Sequence, residues 1–151
     1  MWKKLALLSL SLWVLSVAFI GYRFVFGNAH EVDKRMQISL APEERELVLG
    51  EMRLLLKGVK GIINGLSQDD FKVVEASASG VGMAMAQDVN PALMAKLPMT
   101  FKKMGMGVHQ SFDDLAVKVP SLNQKQILTE VDRIMTTCVA CHETFKIVES
   151  K

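Results

Sequence analysis

Cysteine is almost missing from this chain of 151 residues: there are two, Cys138 and Cys141, and none elsewhere. A structural zinc site asks for two cysteine pairs, or a pair with two histidines. Besides His142, which abuts Cys141 too closely to share a tetrahedron comfortably, the chain has only His30 and His109. Clustered lysine and arginine are lacking as well, so there is no electrostatic footprint for nucleic acid. Strand patterning is scarce, and there are no internal repeats or low-complexity tracts. What remains is one small helical domain behind a leader.

The leader is marked by a missing charge of one sign. Residues 1–29 hold Lys3, Lys4 and Arg23 but no acid, and the other residues carry 15 basic against 16 acidic side chains, a net of −1. The mild basicity of the whole chain, +2 with a pI near 8.6, therefore comes from its first residues. Two lysines followed by 18 uncharged residues, Leu5 to Tyr22, read as an export signal. The run is also just long enough to span a bilayer, with Trp2, Trp13, Tyr22 and Phe24 suited to its interfaces. The preferred reading is a retained anchor with its lysines in the cytoplasm and the rest exported. The other is cleavage after Gly27-Asn28-Ala29, which makes His30 the mature N-terminus. Residues 30–41 read as a polar linker.

Residues 42–151 pattern as four helices. The first opens at Pro42 with Glu43 and Glu44 at the positive end of its dipole, and its apolar stripe runs Val48, Met52, Leu55, Val59, Ile62, Leu66. The second has Ser67 as its N-cap and runs to about Val89, where Asn90-Pro91 breaks it. The third follows Pro98 and runs to Pro120. The fourth has Ser121 as N-cap with Gln124 at its third position, and Leu128, Val131, Met135, Cys138, His142 and Phe145 recur on one face. The expected fold is all-α: an antiparallel four-helix bundle with an N-terminal signal or anchor helix.

Cys138, Cys141 and His142 form C-x-x-C-H, the attachment signature of c-type haem. A dithiol redox pair normally opens a helix after a strand, where the helix dipole lowers a thiol pKa; this pair lies deep in the last helix with no strand before it. Two cysteines three apart on a helix also make a poor structural disulfide. Covalent haem meets every constraint: two thiols a turn apart for the porphyrin vinyl groups, an adjacent imidazole for the iron, and export to the compartment where attachment occurs.

In an up-down-up-down bundle at about 1.5 Å per residue, His142 on the fourth helix and Met52 on the first come to similar heights. Met52 is thus the expected distal iron ligand, and a thioether opposite imidazole suits electron transfer. Core packing is the ordinary role of a methionine on such a stripe. Met83, Met85, Met104, Met106 and His109 lie at comparable heights, and the sixth position could also stay open. Gly80, Gly82, Gly105 and Gly107 either make room for a flat macrocycle or pack loosely. Lys146, Arg45 and Arg53 either meet haem propionates or face solvent.

On the C-terminal Cys138-Cys141-His142 motif, the Phe145-Lys146 that follows and the four helices before it, residues 42–148 resemble the cytochrome c prime family of four-helix c-type cytochromes. The resemblance implies one covalent haem and no enzymatic activity. High-spin members are five-coordinate and bind nitric oxide or carbon monoxide. Low-spin members place a methionine on the first helix, which Met52 resembles, and carry single electrons to redox partner proteins. Arg45 matches loosely a basic residue upstream of that ligand. The glycines and the anchor depart from the family's usual soluble homodimer. The resemblance and the leader together imply a periplasmic protein tied to the inner membrane.

Overall fold

The computed structural model describes residues 2–27, 33–86 and 90–150. They fall into two compact units, Met1–Lys34 and Arg35–Lys151. The cleavage point after Ala29 and the proposed mature start at His30 lie outside the described residues.

The first unit holds the helix α1 (Trp2–Phe26), whose residues from Trp2 to Val25 are exposed. The stretch Trp2–Val25 has a mean hydropathy of 2.1, and none of it is buried in the protein. At 1.5 Å per residue it reaches about 36 Å, enough to cross a hydrocarbon core. Gly27 ends it in the left-handed region, φ 62°, with its N–H on the Arg23 carbonyl at 2.8 Å. This is the usual C-terminal glycine stop. A signal sequence and a membrane anchor both fit such a helix.

Among its described residues the second unit is helical apart from one two-stranded ladder. Its order is β1 (Met36–Leu40), α2 (Pro42–Ser67), α3 (Phe71–Ser79), α4 (Pro91–Lys96), α5 (Met99–Lys118), α6 (Gln124–Thr144) and β2 (Phe145–Glu149), with short 3-10 turns at Met83–Ala86 and Val119–Ser121. Capping chemistry sets most boundaries. At the start of α2, Glu44 Oε2 accepts the Ala41 N–H at 3.0 Å. The α3 N-cap is Asp70 rather than Ser67, because its carboxylate takes the N–H groups of Lys72 and Val73; Ser67 instead closes α2. The α6 N-cap is Asn123, paired reciprocally with Gln126, rather than Ser121 with Gln124.

The largest correction concerns the second helix. It ends at Ser79 instead of reaching Val89, which lies outside the described residues. Gly80 and Gly82 weaken the helix there, and α5 offers its backbone other partners. His109 Nδ1 meets the Val81 carbonyl at 2.8 Å, and the Asp113 carboxylate accepts the Met83 N–H at 2.8 Å. A Cβ at Gly82 would collide with the Asp113 carboxylate, which would have to move.

The expected linker is a correction too. Met36–Leu40 pairs in parallel with β2, in register from Met36 with Phe145 to Leu40 with Glu149. Every helix from α2 to α6 lies in the crossover between these strands. Ile38, Leu40 and Phe145 are buried, so the two ends of the unit share one apolar seam. Helix α6 consequently stops at Thr144 and Phe145 is a strand residue.

Two apolar clusters hold the unit. The larger joins Ile62 and Leu66 of α2, Val74 of α3, Phe112 and Leu115 of α5 and Ile127 and Ile134 of α6. The smaller joins Ile38, Leu40, Val48, Leu93, Leu97 and Phe145. Helix α2 approaches α3 closely because glycines face it: a Cβ at Gly65 would stand 2.9 Å from the Asp70 carbonyl oxygen, and one at Gly58 would stand 2.6 Å from a Val81 methyl. The buried face of α6 runs through Ile127, Val131 and Ile134, while Leu128, expected inside, is 48% exposed.

Candidate functional site

Cys138 and Cys141 occupy the last two turns of α6 as free, half-buried thiols. Cys138 packs against the larger cluster and Cys141 against the smaller. Burial pushes both thiols up from the ordinary cysteine range, and at Cys141 the neighbouring Cys138 adds to the shift. A nucleophilic redox cysteine needs the opposite, a stabilised thiolate. Among the described residues no group of three or more His, Cys, Asp or Glu side chains could hold a metal ion.

His142 is exposed, and its backbone carbonyl accepts a hydrogen bond from Arg35 Nη1 at 3.1 Å. That bond ties the residue before β1 to the end of α6. Met52 is half-buried against the smaller cluster, which also takes Cys141, Met94, Phe101 and Met104. The fold therefore brings Met52 and Cys141 to one apolar patch and leaves the His142 imidazole outside it. Phe101 and Phe145 close the patch edge to face, with ring centroids 5.5 Å apart.

The other candidate residues separate. Met85 packs on the larger cluster and Met104 on the smaller, whereas Met106 lines a cavity. Met83 is anchored through its N–H by Asp113. The Asp113 carboxylate occupies the space a Cβ at Gly82 would take, whereas a Cβ at Gly105 or Gly107 meets no atom within 4 Å. Arg45 and Arg53 both reach Glu46, at 3.3 and 3.2 Å, on an exposed face of α2. Such exposed pairs contribute little. Lys146 is the second residue of β2.

His109 does not face solvent. It is 3% exposed, the one buried polar residue among the core positions described. Its Nδ1 bonds the Val81 carbonyl and its Nε2 lies 3.3 Å from Glu51 Oε1. With an acceptor at each nitrogen the ring favours its doubly protonated form. The Glu51 carboxylate raises its pKa most, the Val81 and Gly82 carbonyls add to this, and burial works against them. A histidine whose folded pKa is raised contributes stability that is fully present below about pH 6.5, its unfolded value, and lost as pH climbs through the folded value. The melting temperature is therefore expected to fall as pH rises above about 6.5. In His109→Gln that dependence flattens, a result thermal denaturation monitored by circular dichroism would read.

His109 and Glu51 stand at the wall of a cavity of about 670 Å³ between α2, α4 and α5. Much of its wall is apolar, and it includes Leu47, Leu54, Leu93, Met94, Phe101 and Met106. The 3-10 turn that follows α3 in the chain contributes Met85 and Ala86 to it. Glu51 and this cavity had no place in the sequence reading. The available signal was Leu47 and Leu54, seven residues apart on α2 and off its core stripe. Neither cysteine lines the cavity, nor do His142 and Met52.

No family model, curated protein or solved structure matches this chain.

Proposed function

We propose that this protein is an exported monohaem c-type cytochrome that carries single electrons, its helices α2, α3, α5 and α6 forming an antiparallel bundle of the cytochrome c prime kind. One observation carries the reading: the chain's only cysteines stand a turn apart at the end of the last helix, half-buried between two apolar clusters, with an exposed imidazole next in sequence. That donor set fits a covalently held haem. Cys138 and Cys141 would form the thioethers, His142 would be the proximal ligand and Met52 the distal one. A haem so held supplies a reversible one-electron iron couple.

The residues around it would tune and shield rather than transform a substrate. The Met52 thioether favours the reduced state and raises the potential. Phe101, Phe145 and Met104 keep water from the patch that Met52 and Cys141 share. Helix α1 would hold the domain on the periplasmic face of the inner membrane, where other redox proteins are its partners.

The test is the mass and spectrum of the full chain secreted alongside a haem-maturation system. One haem added to the polypeptide mass, and a ferrous spectrum unchanged by carbon monoxide, are expected. A mass of polypeptide alone would overturn the proposal. A strong carbon monoxide response would instead leave the distal side open, the five-coordinate gas-binding alternative, and an unaltered low-spin spectrum in Met52→Ala would remove Met52 as ligand.

A further inference from the structure

The cavity between α2, α4 and α5 calls for an occupant that the haem motif does not supply. Its volume of about 670 Å³ falls within the usual range for small-molecule sites. Two positions keep it open: Gly105, whose Cβ would meet no atom within 4 Å, and Gly50, whose Cβ would meet only the Arg53 side chain. Leu47 and Leu54 line it on α2 and are 64% and 45% exposed, apolar surface that an apolar guest would cover.

We propose that this cavity binds a lipid-soluble hydroquinone, a ring hydroxyl donating to the Glu51 carboxylate and the tail lying along Leu47 and Leu54. The chemistry of the wall selects that class. Among the buried core positions described, the one polar residue is His109, and its Nε2 occupies one oxygen of Glu51. A carboxylate accepts at several lone pairs, so Glu51 can take a further donor. A deprotonated fatty-acid head has no hydrogen to donate to Glu51, whereas a neutral hydroxyl has one. Met94, Met106 and Phe101 give the ring the sulfur and aromatic contacts that aromatic guests favour. Of the cations in the wall, Arg53 pairs with Glu46 at 3.2 Å and Lys102 Nζ donates to the Met94 carbonyl at 3.2 Å, while Lys57 is exposed at the rim. The same chain carries a helix apolar and long enough to enter a bilayer, where such molecules dissolve. Binding requires no haem. Only a role for the ligand as electron source rests on the cytochrome reading.

The full secreted chain in detergent micelles, titrated with decylubiquinol kept reduced under argon and followed by calorimetry, tests this. Saturable one-to-one binding is expected. Gly105→Leu, whose Cβ meets no atom within 4 Å, should weaken it by roughly tenfold or more while the melting temperature holds or rises. Glu51→Gln should weaken it by roughly tenfold, the worth of about one charged hydrogen bond. Absence of saturation, unchanged affinity in Gly105→Leu, or equal binding of 1-decanol would overturn the proposal. So would binding only to chains that lack haem, since the cavity would then be the haem's own. The mass of the same sample separates the two readings: haem without quinol binding sinks this site alone, and quinol binding on a haem-free mass sinks the cytochrome alone.

Discussion

Cys138→Ser combined with Cys141→Ser is expected to give a secreted chain with no covalent haem, colourless after denaturation and extraction. Its far-ultraviolet circular dichroism should remain strongly helical. The reasoning is local. Both thiols stand on α6, whose buried positions are Ile127, Val131 and Ile134 while the cysteines are half-buried, so two oxygen-for-sulfur exchanges leave the helix most of its packing. They remove both atoms able to bond carbon to a porphyrin. His142→Ala should behave differently: the thioethers form and the mass includes the haem, but the iron loses its neighbouring imidazole and the low-spin spectrum goes with it. Haem colour that survives denaturing extraction in the double serine variant would refute the attachment outright.

The second large effect concerns the scaffold. Phe112→Ala is expected to destabilise the domain by about 3–5 kcal/mol, a substantial fraction of the roughly 5–15 kcal/mol that holds a typical domain together. Phe112 is 0% exposed at the centre of the larger cluster, where α2, α3, α5 and α6 all contribute. Truncation there loses ring burial and leaves a cavity that four packed helices cannot easily collapse. Leu128→Ala, at a position 48% exposed on α6, should cost under about 1 kcal/mol. Urea titration of both variants measures the contrast. Similar costs would mean that the core face of α6 is the one expected from sequence, through Leu128, and not the one through Ile127.

Much of the helical outline was legible because its causes are local. Pro42 with two glutamates after it starts α2, and Pro98 precedes α5. The stripe from Val48 to Leu66 repeats at the helical period, and three of its residues are buried in the larger cluster. Where sequence reading failed, a distant partner decided. Met36, Ile38 and Leu40 alternate with Gln37 and Ser39, a strand signal only five residues long. It becomes a strand because Phe145–Glu149 lies alongside, more than a hundred positions away in sequence. The same pairing ends α6 before Phe145. Ser67 and Ser121 were reasonable caps, but Asp70 and Asn123 each had the better reach to backbone N–H groups two or three residues on.

The candidate site divides in the same way. Its reactive atoms were visible from spacing alone, since C-x-x-C-H on a helix sets two thiols and an imidazole within about a turn whatever the rest of the chain does. The apolar leader was equally plain, because 18 uncharged residues need no tertiary partner to form a helix long enough for a bilayer. Only the folded chain could place Met52 and Cys141 against one apolar cluster, bury His109 between Val81 and Glu51, stop α3 at Ser79, or open a cavity between α2, α4 and α5. These features are set by contacts between residues far apart in sequence, and neither a helical period nor a short motif encodes such contacts.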